Sequence, residues 1–558
     1  MDDLEKKAVS GIMLTLLLTS VLTLVFNIQP VRAEPKTWTV DDDGPADFHI
    51  IQEAINTANP GDTIYVRNGT YYEKAVVNKS IFLIGEDKAT TVLNGNRTGT
   101  VVSVISNNVT LTGFTIKNGY SGVTLDHSDF SVITGNIVLN NQLYGIECYR
   151  SNHNVIEDNV ALNNSRGIKV YYSNYTKLIE NNASNNWYGI RIRSSTNNLL
   201  RNNTMTGNHW NFAMDADYHL ELIHDIDCSN TVDGKPIIYW INKQDQHVPT
   251  NAGFVAAINC SEITVKNVNL TKNNIGVLFW STSNSIIEEA NISENWVGVA
   301  LVSSENIKLF DNTISTSAEE GIILVMSNDS RIINNNFVNN GYHVYTYESF
   351  NNVWDGGYPS GGNYWSDYNG TDLHWGSGQN ETGSDGIGDT AYVIGENNVD
   401  RYPLMAPFNT FEAGVWKETE YFVDVVSNSI VSDFRFNPGE GPFLRFNVTG
   451  ENETIGFCRV TIPNDLLWAE DGWTINVGDQ QITNYTIIPN ENFTYLYFTY
   501  NYSTKTVIIQ GTSVIPEFPS ATILPLLMLT TLTATILLKR KRKPKPQPHS
   551  SSPTKASS

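Results

Sequence analysis

Glycine recurs along this chain at a near-constant interval. Gly122, Gly145, Gly167 and Gly189 stand 22 or 23 residues apart, and Gly276, Gly298 and Gly321 resume the same interval. Each opens a run of alternating character: GVTLDHS, GIECYRS, GIKVYYS, GIRIRSS, GVLFWST, GVALVSS and GIILVMS. A period of two belongs to a strand, and the turn-rich remainder of each interval leaves no room for a helical hairpin. One such unit cannot bury its apolar face alone, so units must stack, each making one coil of a solenoid. An all-β parallel β-helix is the expected fold.

A second register runs beside the glycines: Asn136, Asn159, Asn182 and Asn203, then Asn291, Asn312 and Asn336. Asparagine tolerates the left-handed conformation of a tight bend, and equivalent side chains stacked coil on coil hydrogen-bond as a ladder. Facing inward, Asn182 and Asn291 are expected to escape glycosylation although each begins a sequon. An open first coil needs a cap. The stretch FHIIQEAINTANPGD sets Ile51, Ala54, Ile55 and Ala58 on one helical face, which suits a plug.

The repeats span residues 34–408, with an insertion at 218–260. From 409 to 514 short alternating runs such as FLRFNVTG, FCRVTIP and KTVIIQG suggest an antiparallel β-sandwich, read as a stalk. At the start, Lys6 and Lys7 precede an apolar run and Val31-Arg32-Ala33 offers a cleavage site, so residues 1–33 read as a signal peptide. Residues 515–543 hold a Pro-rich break, an apolar stretch from about Ala521 to Leu538 and a basic stop, which read as a transmembrane or sorting helix. Residues 544–558 read as a disordered cytoplasmic tail. The chain is therefore expected on the cell surface, anchored in the membrane by its C-terminal segment.

A net charge of -22 argues against nucleic acid as a partner. Sequons at Asn68, Asn96, Asn174, Asn269, Asn380, Asn452 and Asn492 are glycosylation candidates in an exported chain. Of four cysteines, Cys148 falls at an inward strand position, and Cys228 and Cys260 flank the insertion, where an exported disulfide is open to them.

The opening VDDDGPADFHIIQEAINTANPGDTIYVRNGTYYE, the coils, the insertion VDGKPIIYWINKQDQHVPTNAGFVAAINC and the closing GGNYWSDYNGTDLHWGSGQNETGSDGIGDTAYVI with DRYPLM resemble the NosD-like family, from about Trp38 to Met405. That resemblance implies a right-handed β-helix, places the chain beside archaeal surface proteins, and carries the label of a periplasmic copper-binding protein. The repeats also resemble those of carbohydrate-binding and sugar-hydrolysing β-helices. Pro516-Glu517-Phe518-Pro519 before the apolar tail resembles archaeal C-terminal sorting signals.

Copper wants convergent imidazole, thiolate or thioether ligands. The best cluster is His219, His224 and Cys228, but His219 and His224 would point to opposite faces of a straight strand, which does not favour copper. Asp367, Asp372, Asp385 and Asp389 lie among glycines in the closing motif, and hard oxygen ligands on a flexible loop suit calcium. Tyr364, Trp365, Trp375 and Trp280 are candidates for stacking on sugar rings. Recurrent acidic residues such as Glu157-Asp158, Glu180 and Glu288-Glu289 sit at outer corners and read as a solvated edge, so no catalytic residue is assigned. The reading is a β-helix that binds extracellular polysaccharide or cell-surface glycoconjugates without cleaving them. A polysaccharide lyase or glycoside hydrolase is the alternative, and a copper accessory protein the third.

Overall fold

A computed structural model describes residues 34–514 apart from 417, 440, 452, 453, 502 and 503. They fall into two compact units: one reaches Lys308 and includes Thr313–Asn328 and Asn339–Ser349, and the other holds Leu309–Asn312, Asp329–Val338 and the chain from Phe350.

In the first unit the repeats stack as expected. Three sheets wrap a common core: nine strands from Thr37–Val40 to Asp225–Ile226, seven from Ala75–Val77 to Trp210–Asp215, and fourteen from Gly69–Tyr71 to Tyr342–Tyr347. Pairing between successive coils is parallel and sets like on like, so that Ile146, Ile168, Ile190 and Phe212 form one column. All four are fully buried, and Cys148 fills the neighbouring column beside Val170 and Ile192. Each such side chain contributes about 1.5–3 kcal/mol through the apolar surface it removes from water.

The glycine interval has a steric cause. A Cβ at Gly145 would lie 2.4 Å from the carbonyl oxygen of Gly167, and one at Gly167 would lie 2.6 Å from that of Gly189. The same contact recurs at Gly276 and Gly298. Backbone meets backbone there, and only hydrogen fits.

The ladder exists with a corrected register. Asn136, Asn159, Asn181, Asn203 and Asn230 each accept, through the side-chain oxygen, from the preceding member or its equivalent backbone. The rung is thus Asn181 and not Asn182, which is half-buried on a strand and accepts from Ser184. In the second unit Asn312 leads to Asn335 and Asn363, so Asn335 replaces Asn336, whose amide instead donates to the Phe408 carbonyl. Asn291 is no rung either: it is exposed, while Ala290 is buried beside it. Neither Asn182 nor Asn291 is the inward-facing sequon expected. A parallel ladder of Asn141, Asn164, Asn186 and Asn208 was not anticipated.

The helix Ile51–Thr57 buries Ile51, Ala54 and Ile55, and Ala58 follows in the core. Its free N-terminal amides are satisfied from a distance: the Glu73 carboxylate accepts from Ile51 at 2.9 Å and Gln52 at 3.0 Å.

After Asp215 the chain still adds Asp225–Ile226 and Thr231–Val232 to the other two sheets before it turns into the insertion, and the end of the seven-stranded sheet is met by Lys272–Asn274. The Asn211 amide donates to the Lys272 carbonyl at 2.6 Å, and the Asn274 amide donates to that of Phe212 at 3.0 Å. The asparagine ladder breaks at this seam: Asn208 turns its amide to Asn211, and the Asn273 side-chain oxygen, fully buried, has no hydrogen bond.

The second unit contains two five-stranded antiparallel sheets. One is built on Phe408–Trp416, Thr419–Ser427, Ile455–Pro463, Phe493–Asn501 and Tyr485–Pro489, the other on Ile430–Asn437, Phe443–Thr449, Lys505–Gln510, Thr474–Val477 and Gln480–Ile482. Val425, Val460, Leu496, Leu444 and Ile509 are among the buried residues of their shared core.

The expectation of a membrane-spanning helix is corrected. Among the described residues no helix is long and apolar enough to cross a membrane. The segments read as signal peptide, anchor and tail lie outside the described residues.

Candidate active site

Strand alternation that buries Ile146, Ile168 and Ile190 must turn their neighbours outward. On the outer face of the seven-stranded sheet, Glu147, Lys169 and Arg191 stand in one column, Tyr144, Arg166, Tyr188 and Trp210 in a second, and Tyr149, Tyr171, Arg193 and Asp215 in a third. Cations and phenols interleave. The Lys169 ammonium lies 4.7 Å from the ring centre of Tyr144 and 4.5 Å from that of Tyr171, and the Arg191 guanidinium lies 4.7 Å from that of Tyr188. Each contact stabilises cation and ring together by about 0.5–2 kcal/mol.

Two ion pairs organise the face. Lys169 Nζ is 3.0 Å from Glu147 Oε1 and donates to the Tyr144 hydroxyl at 3.3 Å; the Lys169 and Glu147 side chains are only 12% and 13% exposed. Arg191 Nε is 2.6 Å from Asp215 Oδ2, and the other oxygen of Asp215 accepts from the Asn274 amide across the seam at 3.2 Å. Burial raises the Tyr188 phenol above the usual tyrosine range, and a hydrogen bond with Tyr172 raises Tyr171, so both stay protonated in neutral solution.

The seam opens a cleft of about 310 Å³ at the end of this face. Arg191, Arg193, Asp215 and Asp217 supply its polar wall, while Leu278 and Trp280 supply the apolar one. A pocket with an apolar wall and a few convergent charges is the usual form of a small-molecule or polymer subsite.

The residues marked from the sequence are dispersed. Trp280 lines this cleft. Trp365 is buried, sandwiched between Phe337 and Tyr392 at ring separations of 4.3 Å, with its indole N–H donating to Asp400; Tyr364 and Trp375 are partly buried. In the closing motif the carboxylates pin turns. Asp372 accepts the amides of Asp385 and Gly386 at 2.9 and 2.8 Å, Asp389 accepts those of Leu373 and His374, Asp385 accepts that of Ile387, and Asp367 accepts from the Tyr392 hydroxyl. The ligand-type side chains that converge among the described residues are instead Asp41, Asp42 and Asp43.

The histidine cluster does not fit copper. His224 is 5% exposed, Nδ1 accepts from the Asn198 amide at 3.2 Å, and Nε2 meets the Glu221 carbonyl at 2.9 Å. It does a ladder asparagine's work at the end of a column running from Asn154 through Thr176 and Asn198. His219 sits on the short turn His219–Leu222. The disulfide left open to Cys228 and Cys260 is not formed: both thiols are free, Cys228 exposed and Cys260 buried against backbone carbonyls. Among the sequon asparagines, Asn68, Asn96, Asn269, Asn380 and Asn492 are exposed, Asn174 is partly buried, and Asn452 lies outside the described residues.

Sequence reasoning passed over Glu147, Lys169, Arg191 and Asp215. The signal was present in GIECYRS, GIKVYYS and GIRIRSS, whose outward positions carry the charges once the strands are set in register.

The chain matches the family model described as periplasmic copper-binding protein (NosD) over residues 55–245 and 241–370. A cell surface glycoprotein of Methanothermus fervidus is 32% identical over 105 residues, which are 18% of this chain and 17% of that protein. Similar solved structures include a family 28 exopolygalacturonase from Yersinia enterocolitica (13% identity, 57% of this chain and 78% of that one, TM-score 0.36). The A-module of a mannuronan C-5 epimerase from Azotobacter vinelandii is 16% identical over 54% and 92% of the two chains, with a TM-score of 0.30. An alginate lyase from Paenibacillus is 14% identical over 59% and 97%, with a TM-score of 0.28. The expectation of a non-catalytic binder is withdrawn: cations and phenols able to move protons line the sheet face beside the cleft.

Proposed function

The chain belongs to the NosD family, and on that premise we propose that it is an enzyme that cleaves an extracellular acidic polysaccharide by elimination, on the outer face of the seven-stranded sheet. The supporting observation is the interleaving of Lys169, Arg166, Arg191 and Arg193 with Tyr144, Tyr171 and Tyr188 in a chain whose net charge is -22. Cations gathered on one face of an acidic protein attract and orient carboxylates. Arginine and lysine beside a uronate carboxylate withdraw charge from it and make the adjacent ring proton easier to remove. The base is Tyr144 as its phenolate, formed when its hydroxyl gives its proton to solvent with the Lys169 ammonium 3.3 Å away; it takes the ring proton, a carbon–carbon double bond forms as the glycosidic C–O bond breaks, and Tyr171 or Tyr188, kept protonated, supplies a proton to the departing oxygen.

Hydrolysis fits less well. It needs two carboxylates free to act on opposite sides of the bond, whereas Glu147 and Asp215 each hold a cation at 3.0 and 2.6 Å. The test is incubation of the full chain with polyuronates, following the ultraviolet absorbance of the unsaturated sugar that elimination leaves. Absorbance that grows with new chain ends supports the reading. New ends without the absorbance indicate hydrolysis, and no new ends from any acidic polymer overturn catalysis here.

A further inference from the structure

A second hollow of about 470 Å³ opens at the other edge of the same sheet, beside the start of the strand Trp210–Asp215. Its wall includes His209, Trp210, Lys272, Glu294 and Thr316. The same interruption makes both openings: because the coil after Trp210 is replaced by Lys272–Asn274 returning from far along the chain, the edge row lacks its next rung.

The aromatic groups there are arranged for a ligand with a flat apolar face. The exposed Trp187 ring stacks on His209, centres 4.0 Å apart and planes within 24°. His209 lines the hollow and its imidazole is backed by the Trp187 indole. Trp210 meets His209 edge-on at 4.1 Å and is locked in turn by Tyr188 and Trp296. Burial and the charge of Lys272 lower the affinity of His209 for a proton, which keeps its ring neutral. On the rim, Lys272 and Glu294 are 3.9 Å apart with side chains 48% and 61% exposed, a loose pair free to exchange partners with hydroxyls. Stacking rings and exposed polar groups in one hollow match the two faces of a pyranose. Among the described residues that line the hollow the charged groups are Lys272 and Glu294, one of each sign, so its wall carries no net charge to draw a carboxylate.

We infer that this hollow is a sugar subsite for an uncharged hexose, and that the polymer handled by the protein is a mixed one, with neutral units seated here and acidic units on the cationic columns. The inference rests on the proposed reading of the sheet face. The six-residue strand Tyr188–Arg193 separates the two openings by about 20 Å at ~3.3 Å per residue, a distance a short oligosaccharide spans.

The test is calorimetric titration of the full chain with neutral oligomers of glucose, mannose and galactose, in wild type, His209→Ala, Trp187→Ala and Arg191→Ala. One oligomer is expected to bind wild type and Arg191→Ala alike, and to bind His209→Ala at least tenfold more weakly. Trp187→Ala, which removes only the backing ring, is expected to fall between them. Failure of every neutral oligomer to bind wild type, or equal binding by a folded His209→Ala, overturns the subsite. Absence of polyuronate cleavage, measured separately, overturns the enzyme reading while leaving this titration readable.

Discussion

One oxygen of Asn181 receives two bonds from Asn159: the backbone amide donates at 3.2 Å and the side-chain amide also at 3.2 Å. Asn159 meanwhile donates to the carbonyls of Ile133 and Glu157, so each rung ties three coils. Asn181→Ala leaves the Asn159 amide buried without its acceptor and is expected to destabilise the first unit by about 1–3 kcal/mol. Asn182→Ala, one residue away on the strand surface, is expected to change stability by less than about 0.5 kcal/mol. Chemical denaturation of both variants checks the register; equal losses would refute it.

The proposed chemistry makes a separable claim about the cations. Arg191→Ala removes a carboxylate-holding group and frees Asp215, and should lower kcat/KM on a polyuronate by about 10²-fold or more. Tyr144→Phe retains the ring that Lys169 covers and removes only the hydroxyl, so its loss should appear in kcat with little change in KM. A Tyr144→Phe enzyme with wild-type kcat would assign the proton transfer elsewhere.

Stability should depend on pH through the closing motif. Burial, reinforced by the charges of Asp385 and Asp389, lifts Asp372 from 3.8 to about 7. Between those values the folded chain holds a proton that the unfolded chain has released. This contribution to stability is therefore complete below about pH 4 and disappears as pH rises through about 7. Asp372→Asn should flatten that part of the profile. Thermal midpoints of the two proteins measured across the window should diverge, and parallel curves would show the carboxyl to be ionised throughout.

His224 titrates in the opposite sense. Burial lowers it from 6.5 to about 4, so its contribution is complete above about pH 6.5 and lost as pH falls through about 4. Because it stands at the end of an asparagine column, His224→Asn should retain the bond from the Asn198 amide and hold the fold together on the acid side. Copper retained after dialysis should be the same in both proteins; a drop in the variant would restore His224 as a ligand.

The stacking of coils was legible because its cause is local: the alternation after each glycine decides which side chains enter the core. The ladder was read one residue out of register at Asn182 and Asn336 because both belong to Asn-Asn sequences, where either residue suits a bend and only the pairing between coils chooses. The cleft was illegible for a different reason. It arises where Asn211 meets Lys272, and its polar groups come from Arg191, Asp215 and Asn274 on segments that a linear reading treats separately. Trp280, picked out as a stacking residue, enters that cleft only because the chain returns there.

The carbonyl of Gly189 under the bare Cα of Gly167 has a consequence for how such a chain lengthens. A duplicated stretch of 22 residues carries its own seat and its own rung, so it docks on its parent without any change in either. A stretch that departs further from the 22 or 23 residues of the interval breaks a column, as where the coil after Asp215 is followed by the insertion. Copying thus extends the rod without altering it, and only an error in copying length opens a hole where new chemistry can begin.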